Sequence, residues 1–163
     1  MKIKNIYDFI SLLVLSPNIL MIYELLYKFS IELFLGLQVC LSIEHKIKKF
    51  VKIFNLDVFK RPDLAIDCGL FNDGGWVGDQ SGFPSGHMTV ISWFMFSLYL
   101  RSNNKKYFIL YQIPCILMGI SRYMKSCHNL TQIFAGYLLG IFISFLFFKI
   151  KLFLIKIIKK FYK

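Results

Sequence analysis

The chain has few acidic residues and lacks the cysteine spacing that binds metal. Nine Asp and Glu stand against 20 Lys and Arg, which gives a formal net charge of +11. The four cysteines (Cys40, Cys68, Cys115 and Cys127) are too far apart in sequence to show the paired spacing of a zinc module, so that class is excluded. The chain also lacks internal repeats and low-complexity tracts, and we expect a single domain over residues 1–163.

The N-terminus lacks a processing signal. Residues Met1–Asn5 are basic, but no small-residue cleavage site follows the apolar stretch behind them, so we expect no cleaved signal peptide. No folded basic domain is left to bind nucleic acid, and we therefore expect no nucleic-acid partner. The positive charge is instead expected to meet anionic lipid headgroups.

Long apolar blocks dominate the chain. It is 56% hydrophobic and 18% aromatic, with a mean hydropathy of +0.57. Charged segments separate the blocks, and the blocks show no amphipathic period, which favours a bilayer over a soluble core. The blocks are Phe9–Leu26, Ile31–Ile43, Met88–Leu100, Tyr107–Ile120 and Leu130–Phe148. We therefore predict an all-α, multi-pass membrane bundle of about five transmembrane helices.

The later blocks predict the geometry of this bundle. With their polar flanks, two of them extend to Ser85–Asn103 and Lys105–Tyr123, near the roughly 20 residues that a span requires. A tight turn between them makes the two helices antiparallel. The tail, Lys149–Lys163, is predicted as a basic amphipathic helix on a headgroup layer or as a continuation of the last span. A simple positive stop after a membrane helix remains the alternative.

The first polar motif, Pro84-Ser85-Gly86-His87, opens the block that starts at Met88. Free backbone N–H groups at the start of a helix favour an anion, and Gly86 lets a phosphate oxygen approach the backbone closely. His87 can give a proton to a leaving oxygen. The alternative is an ordinary helix cap that carries an interfacial histidine.

The second polar motif contains Arg122 and His128. An arginine at a helix end that faces the bilayer is costly unless it serves a site, the alternative being a side chain that snorkels to the headgroups. Four residues spaced four apart share one helix face: His128, Gln132, Gly136 and Gly140. The two glycines permit close approach of a neighbouring helix, so we expect His128 and Gln132 to face the bundle interior.

The loop before the first motif adds further candidates. Lys60-Arg61-Pro62 supplies a second guanidinium for phosphate oxygens. Asp73 and Asp79 in the same loop are expected to be solvated and not to line a pocket. A disulfide between Cys68 and Cys127 is compatible with an oxidising side of the membrane, whereas Cys40 and Cys115 are expected to be packing residues.

Together these residues resemble the three ordered motifs of the type 2 phosphatidic acid phosphatase superfamily. The resemblance rests on Arg61-Pro62, Pro84-Ser85-Gly86-His87 and Ser121-Arg122-x5-His128, within a motif core of about 52–140. It implies a phosphatidic acid phosphatase type 2/haloperoxidase-like core. The short length and the Lys/Ile/Phe-rich composition are also similar to the short forms carried by large DNA viruses.

The resemblance implies metal-independent hydrolysis of a lipid phosphate or diphosphate, without a cofactor, through a phosphohistidine. His128 would attack phosphorus, and His87 would protonate the leaving group and later activate water. The residues implied to hold the phosphate are Lys60, Arg61, Ser85, Gly86 and Arg122. The alternative is a non-catalytic membrane protein that retains the pocket and binds lipid phosphate. A homo-oligomer is compatible with either function.

Two positions depart from the family pattern. The family's lysine seven residues before the arginine is Phe54 here, and Lys52, Lys60 and Lys125 are out of register. The family's aspartate four residues after the nucleophile is Gln132, which can hold the histidine tautomer but brings no charge. We therefore expect a slow enzyme, in which an aspartate at this position would raise turnover if the missing charge limits the rate.

Counting the positive charges on each side of the membrane does not decide the orientation of the protein. The 20 Lys and Arg divide evenly between the two sides if all five spans form. Setting aside the residues that a phosphate site would recruit favours a cytoplasmic tail. The site is therefore expected on the lumenal or extracytoplasmic side.

Overall fold

The computed structural model describes residues 6–8, 10, 31–54, 56–69, 73–102, 104, 106 and 108–161. Most of the predicted first block, Phe9–Leu26, lies outside these residues. The described part contains the helices α1 (Ile31–Lys52), α2 (Gly86–Ser102), α3 (Phe108–Met124) and α4 (Leu130–Phe161), and a short 3-10 helix at Asp57–Phe59. Pairing between extended segments in this part is limited to two isolated bridges. The all-α class is confirmed for these residues.

Helices α2 and α3 end close to the predicted boundaries. Each has 17 residues, two fewer than the extended stretches in the prediction. The chain between them is held by side chains, because the backbone N–H of Lys106 donates to Asn104 Oδ1 at 3.0 Å. At its start, α2 is capped by Ser85, whose carbonyl oxygen accepts from the N–H of Thr89 at 2.9 Å.

The predicted glycine stripe forms the contact between α2 and α4. A Cβ on Gly136 would come within 2.5 Å of the carbonyl oxygen of Ser85, and one on Gly140 would collide with Ser92. Hydroxyl groups add hydrogen bonds to this contact, because Ser144 donates to the carbonyl oxygen of Trp93 at 2.6 Å. Only small residues allow these two helices to approach so closely.

Helix α4 is long and apolar enough to cross a membrane. It has 32 residues, with a mean hydropathy of 2.3 over its most apolar window, whereas α3 is apolar but has only 17 residues. At 1.5 Å per residue, α4 spans about 48 Å, which exceeds the roughly 30 Å of a bilayer core. Residues 149–161 therefore continue the last helix, as one of the tail alternatives predicted. The five-span bundle stays a prediction.

Candidate active site

The loop between α1 and α2 folds back on itself and places Arg61 beside the helix ends. Lys60 and Ser81 form an antiparallel bridge. The N–H of Arg61 donates to the carbonyl oxygen of Gln80 at 3.0 Å, and that of Gly82 donates to Phe59 at 2.7 Å. These bonds fix the backbone on both sides of Arg61, so its side chain extends from a loop segment that hydrogen bonds hold in place.

His128 lies in the turn between α3 and α4. Ser126 has a φ of 54°, a left-handed conformation that reverses the chain after α3. The N–H groups of Cys127 and His128 both donate to the carbonyl oxygen of Arg122, at 3.0 and 3.3 Å. The turn therefore carries His128 back over Arg122, and its side chain is buried with 1% exposure.

The partners of the His128 ring assign its tautomer. Nε2 lies 3.2 Å from Nη1 of Arg61, and Nδ1 lies 3.0 Å from Oε1 of Gln132. A guanidinium has no acceptor, so Nε2 must carry the lone pair and Nδ1 must carry the proton. The lone pair of Nε2 is thereby directed toward the cationic side of the site, where a nucleophile is needed.

Gln132 uses both ends of its amide. Its Oε1 accepts from His128, while its Nε2 donates to the carbonyl oxygens of Lys60 at 2.6 Å and Val58 at 3.2 Å. The side chain is fully buried. An aspartate could accept from the histidine but could not donate to either carbonyl. The glutamine therefore ties the histidine to the loop that carries Arg61.

The surroundings of His128 favour its neutral form. Burial lowers the pKa of His128 well below 6.5, and the positive charges of Arg61, Arg122 and Lys48 lower it further, while the bond to Gln132 acts in the opposite direction. A lowered pKa keeps the ring unprotonated at neutral pH. Its Nε2 therefore carries a lone pair without prior loss of a proton, and in this structure the lone pair accepts from Nη1 of Arg61.

This protonation behaviour can be measured directly. In a proton NMR titration of labelled protein, the midpoint of the His128 ring signal should lie below pH 6.5. In Arg61→Gln the midpoint should move upward, because the largest nearby charge that opposes protonation is removed. The missing signal in His128→Ala gives the assignment. A wild-type midpoint above 6.5 would contradict the assigned neutral state.

The start of α2 lies against α4 and brings His87 into the same cluster. The N–H of Ser85 donates to the carbonyl oxygen of Gln132 at 3.0 Å. This N–H is therefore already used to join the two helices, and a contact between Ser85 and phosphate stays a prediction. The hydroxyl of Ser85, which has no partner in the described part of the chain, is the group of this residue that can donate to a phosphate oxygen.

Three buried polar atoms of the cluster have no hydrogen-bond partner in the described part of the chain. They are Nε2 of His87, Oγ of Ser85 and Nε of Arg61. Buried polar atoms are nearly always satisfied, so a group of them within one site indicates where a polar ligand binds. Two are donors in any state, and the imidazole nitrogen becomes one when protonated.

Arg122 is brought to the cluster from the last turn of α3. Its side chain is fully buried, and its Nη2 donates to the carbonyl oxygen of Cys68 at 2.5 Å. Cys68 forms a disulfide with Cys127, with 5.6 Å between their Cα atoms. The pairing that the sequence left open is thus present, and it lies directly beside His128.

One cation of the site was missed by the sequence analysis. Lys48, near the end of α1, forms an ion pair with Glu44, and its charge acts on His128. A Cβ on Gly86 would come within 2.8 Å of Oε1 of Glu44, so this turn of α1 touches the start of α2. The spacing of Glu44 and Lys48, four apart on one helix face, was the signal that could have identified them.

The lysines considered from the sequence lie elsewhere. Nζ of Lys60 pairs with Oδ1 of Asp57 at 2.9 Å on the exposed side of the 3-10 helix, so its expected contact with phosphate is not supported. Nζ of Lys125 pairs with Oδ1 of Asp8 at 2.6 Å. Lys52 is exposed. Lys60 contributes only its carbonyl oxygen, which accepts from Gln132.

The assembled cluster can hold a tetrahedral oxyanion. The positive charges of Arg61, Arg122 and Lys48 all act on the imidazoles of His87 and His128, and Glu44 is the acidic partner of the Lys48 ammonium. Fixed positive donors suit the equatorial oxygens of a phosphoryl group, and a neutral imidazole nitrogen suits in-line attack on phosphorus.

One of the comparisons with known proteins gives a match. A family model described as PAP2 superfamily matches residues 30–156. No curated protein and no solved structure matches the chain. The matched range contains every residue of the cluster, including Lys48 and Gln132.

Proposed function

The chain belongs to the PAP2 superfamily, whose members are generally phosphatases, and from this premise we propose that it hydrolyses a lipid phosphate or diphosphate without a metal. The observation that carries the proposal is the tautomer of His128. Its Nε2 lone pair faces Arg61, and its Nδ1 proton is held by Gln132. This tautomer places the lone pair that can attack phosphorus on the nitrogen that faces the cationic side of the cluster.

The reaction proceeds in two displacements. Nε2 of His128 attacks phosphorus, the bond from phosphorus to the leaving oxygen breaks, and His87 gives its proton to that oxygen. A bound phosphate dianion favours the protonated form of His87 that this step needs. Water then gives a proton to His87 and attacks phosphorus, the P–N bond breaks, and inorganic phosphate is released.

The charges of the cluster support the transition state. Arg61 and Arg122 offer guanidinium forks, and Lys48 adds a point charge from a third element. In a buried site such fixed charges act more strongly than in water and need no reorganisation during the reaction. Gln132 stabilises the developing imidazolium with its carbonyl dipole, where the family aspartate would supply a full charge.

An apolar groove beside the cluster supports a lipid as the substrate. Its volume is about 590 Å³, within the range of small-molecule pockets. The groove is lined by Met88, Gln112, Cys115, Ile116, Gly119, Leu130, Ile133, Phe134 and Tyr137. We propose that a hydrocarbon chain lies here while the phosphate lies between the histidines.

Two residues that line the groove directly follow residues of the cluster in the sequence, and two others form a polar bridge. Met88 directly follows His87, and Ile133 directly follows Gln132. The hydroxyl of Tyr137 donates to Oε1 of Gln112 at 2.7 Å and joins α4 to α3. Leu130 and Tyr137 are seven residues apart, or about 10 Å along the helix. The bridge therefore places one polar pair in the otherwise apolar lining of the groove.

The disulfide supports the proposed side of the membrane. Disulfides persist in lumenal, periplasmic and extracellular compartments and are rare in the cytosol. Cys68 and Cys127 are joined directly beside His128. We therefore propose a multi-pass membrane protein whose site faces an oxidising compartment.

The proposal is tested by phosphate release from phosphatidic acid and from a polyprenyl diphosphate, using detergent-purified protein in excess EDTA. We expect release to continue in EDTA, because the donors of the cluster are side chains of this chain. If the wild-type protein binds these lipids but releases no phosphate from either, the non-catalytic binding protein is the correct function.

The same assay tests the groove. In Gly119→Leu the new side chain enters the groove at the level of Ile133, since a Cβ at Gly119 already lies 3.3 Å from Cγ2 of Ile133. KM should rise about tenfold or more for a long-chain lipid phosphate and stay unchanged for a water-soluble short-chain one. Gly119→Ala is the matched control. Equal effects on both substrates would place the hydrocarbon chain elsewhere.

A further inference from the structure

We propose that the Cys68–Cys127 disulfide positions the two phosphate-binding arginines, so that phosphate binding depends on the oxidation state of this pair. The inference rests on the proposed function, because it concerns the phosphate site of that reaction. The structure provides a direct link, since each half-cystine offers its own carbonyl oxygen to one of the two guanidiniums.

In both contacts an arginine donates to the backbone carbonyl oxygen of one of the two disulfide-bonded cysteines. Nη1 of Arg61 donates to the carbonyl oxygen of Cys127 at 3.0 Å, and Nη2 of Arg122 donates to that of Cys68 at 2.5 Å. Arg61 comes from the loop after α1, and Arg122 comes from α3. Because the disulfide joins the two acceptors covalently, it also fixes the distance between two guanidiniums that belong to different elements.

The backbone around each cysteine needs an external restraint. Asp67 and Ser126, which directly precede the two cysteines, have φ values of 51° and 54°. Left-handed conformations at residues other than glycine cost of order 1–3 kcal/mol and persist only where the surroundings impose them. The hydrogen bonds from Asp67 to Gly75 and from Cys127 to Arg122 act on this backbone together with the crosslink.

The noncovalent packing around the disulfide is small. Its apolar cluster consists of Ala65, Cys68 and Cys127, with Val77 packed against it, and it is separate from the main core between the helices. So few buried side chains provide little apolar contact once the bond is broken. The crosslink therefore adds a covalent restraint to the backbone hydrogen bonds of the loop segment that contains Cys68, among them those from Gly69 to Asp73 and from Val77 to Ala65.

Reduction gives a defined chemical change. A dithiol transfers two electrons and two protons to the disulfide, which becomes two thiols, and the dithiol becomes its own cyclic disulfide. The carbonyl acceptors then separate, and the arginines lose their fixed spacing. Hydrogen bonds to charged groups contribute enough that phosphate affinity should fall about tenfold or more.

The experiment uses the full chain with Cys40→Ala and Cys115→Ala, so that only the disulfide pair can respond to a dithiol. Both replaced cysteines are buried and free. Inorganic phosphate should raise the unfolding midpoint of the oxidised protein, because a ligand that binds the folded state stabilises it. After reduction, the same rise should require about ten times more phosphate, and KM for the lipid substrate should increase by the same factor.

Several outcomes separate the inference from its alternatives. If reduction lowers the midpoint without phosphate but leaves the phosphate-induced rise unchanged, the disulfide is only a structural crosslink and the inference fails. If wild-type protein shows no turnover but its phosphate-induced rise depends on reduction, the proposed function fails while the inference stands. Circular dichroism of the reduced protein checks that the helices remain. If they are lost, the disulfide is required for the fold as a whole, and the inference that it acts through the spacing of the arginines fails.

Discussion

Replacing His128 with alanine should abolish phosphate release, with a loss of about 10⁴-fold or more in turnover. The substitution removes the atom that forms the covalent bond to phosphorus. Neighbouring groups cannot replace it, because Arg61 is a permanent cation and the amide of Gln132 is not a nucleophile. Substrate affinity should change little, since both arginines remain. The measurement is phosphate release from lipid phosphate, with binding followed separately.

Two further histidine variants make this result specific. His45 is exposed on α1 and lies outside the cluster, so His45→Ala should retain wild-type turnover. His87→Ala should slow both steps, because His87 protonates the leaving oxygen and later takes a proton from water. With a diphosphate, whose leaving phosphate needs a proton less than an alkoxide does, labelled phosphate should accumulate on His128 in an acid-labile and alkali-stable form. Retained activity in His128→Ala, or label on any other residue, would refute the proposed mechanism.

Replacing Gln132 with aspartate should lower turnover, although it restores the residue of the family pattern. The shorter carboxylate cannot donate to the carbonyl oxygens of Val58 and Lys60, which now accept from the amide at 3.2 and 2.6 Å. Buried acceptors that lose their donors, placed near a new negative charge, should destabilise the site by about 2–5 kcal/mol. We expect a decrease of about tenfold or more in turnover and a lower unfolding midpoint.

Gln132→Glu is the matched variant, because it adds the charge at the reach of the native side chain. If the absent charge limits the rate, both carboxylate variants should be faster than wild type. If the two donors hold the site together, both should be slower, and the glutamate should also lose the link to the Arg61 loop. An increase in turnover in either variant would show that the amide is not needed for the geometry.

The motifs and helix boundaries could be predicted because they depend on local chemistry. Helix α2 begins directly after Ser85, where the polar motif before an apolar run predicts a helix start, and the four-residue spacing of Gly136 and Gly140 places both against α2. The four-residue period also predicts Gln132 on that face, whereas His128 lies in the turn before α4. Such features need only the sequence of one segment, which fixes direction and spacing along a helix.

The partners across segments could not be predicted in this way. Lys60 was expected to contact the phosphate, but its ammonium pairs with Asp57. Lys48 was not considered, but it lies near the end of α1, pairs with Glu44, and its charge acts on His128. Which of several lysines reaches a site depends on how the loop folds over the helix ends. The fold of the loop depends on contacts between residues far apart in the sequence, and the spacing of residues along one segment does not predict these contacts.

By itself, the sequence determined the helical class, the family motifs, the glycine contact and the pair of histidines, because periodicity and motif spacing are encoded locally. Only the tertiary structure decided that Cys68 joins Cys127, that Gln132 donates to two loop carbonyls, and that the lone pair of His128 faces Arg61. Each of these contacts joins atoms from separate segments. Their geometry is set by the packing of the whole bundle, which orients the donors and acceptors of the site.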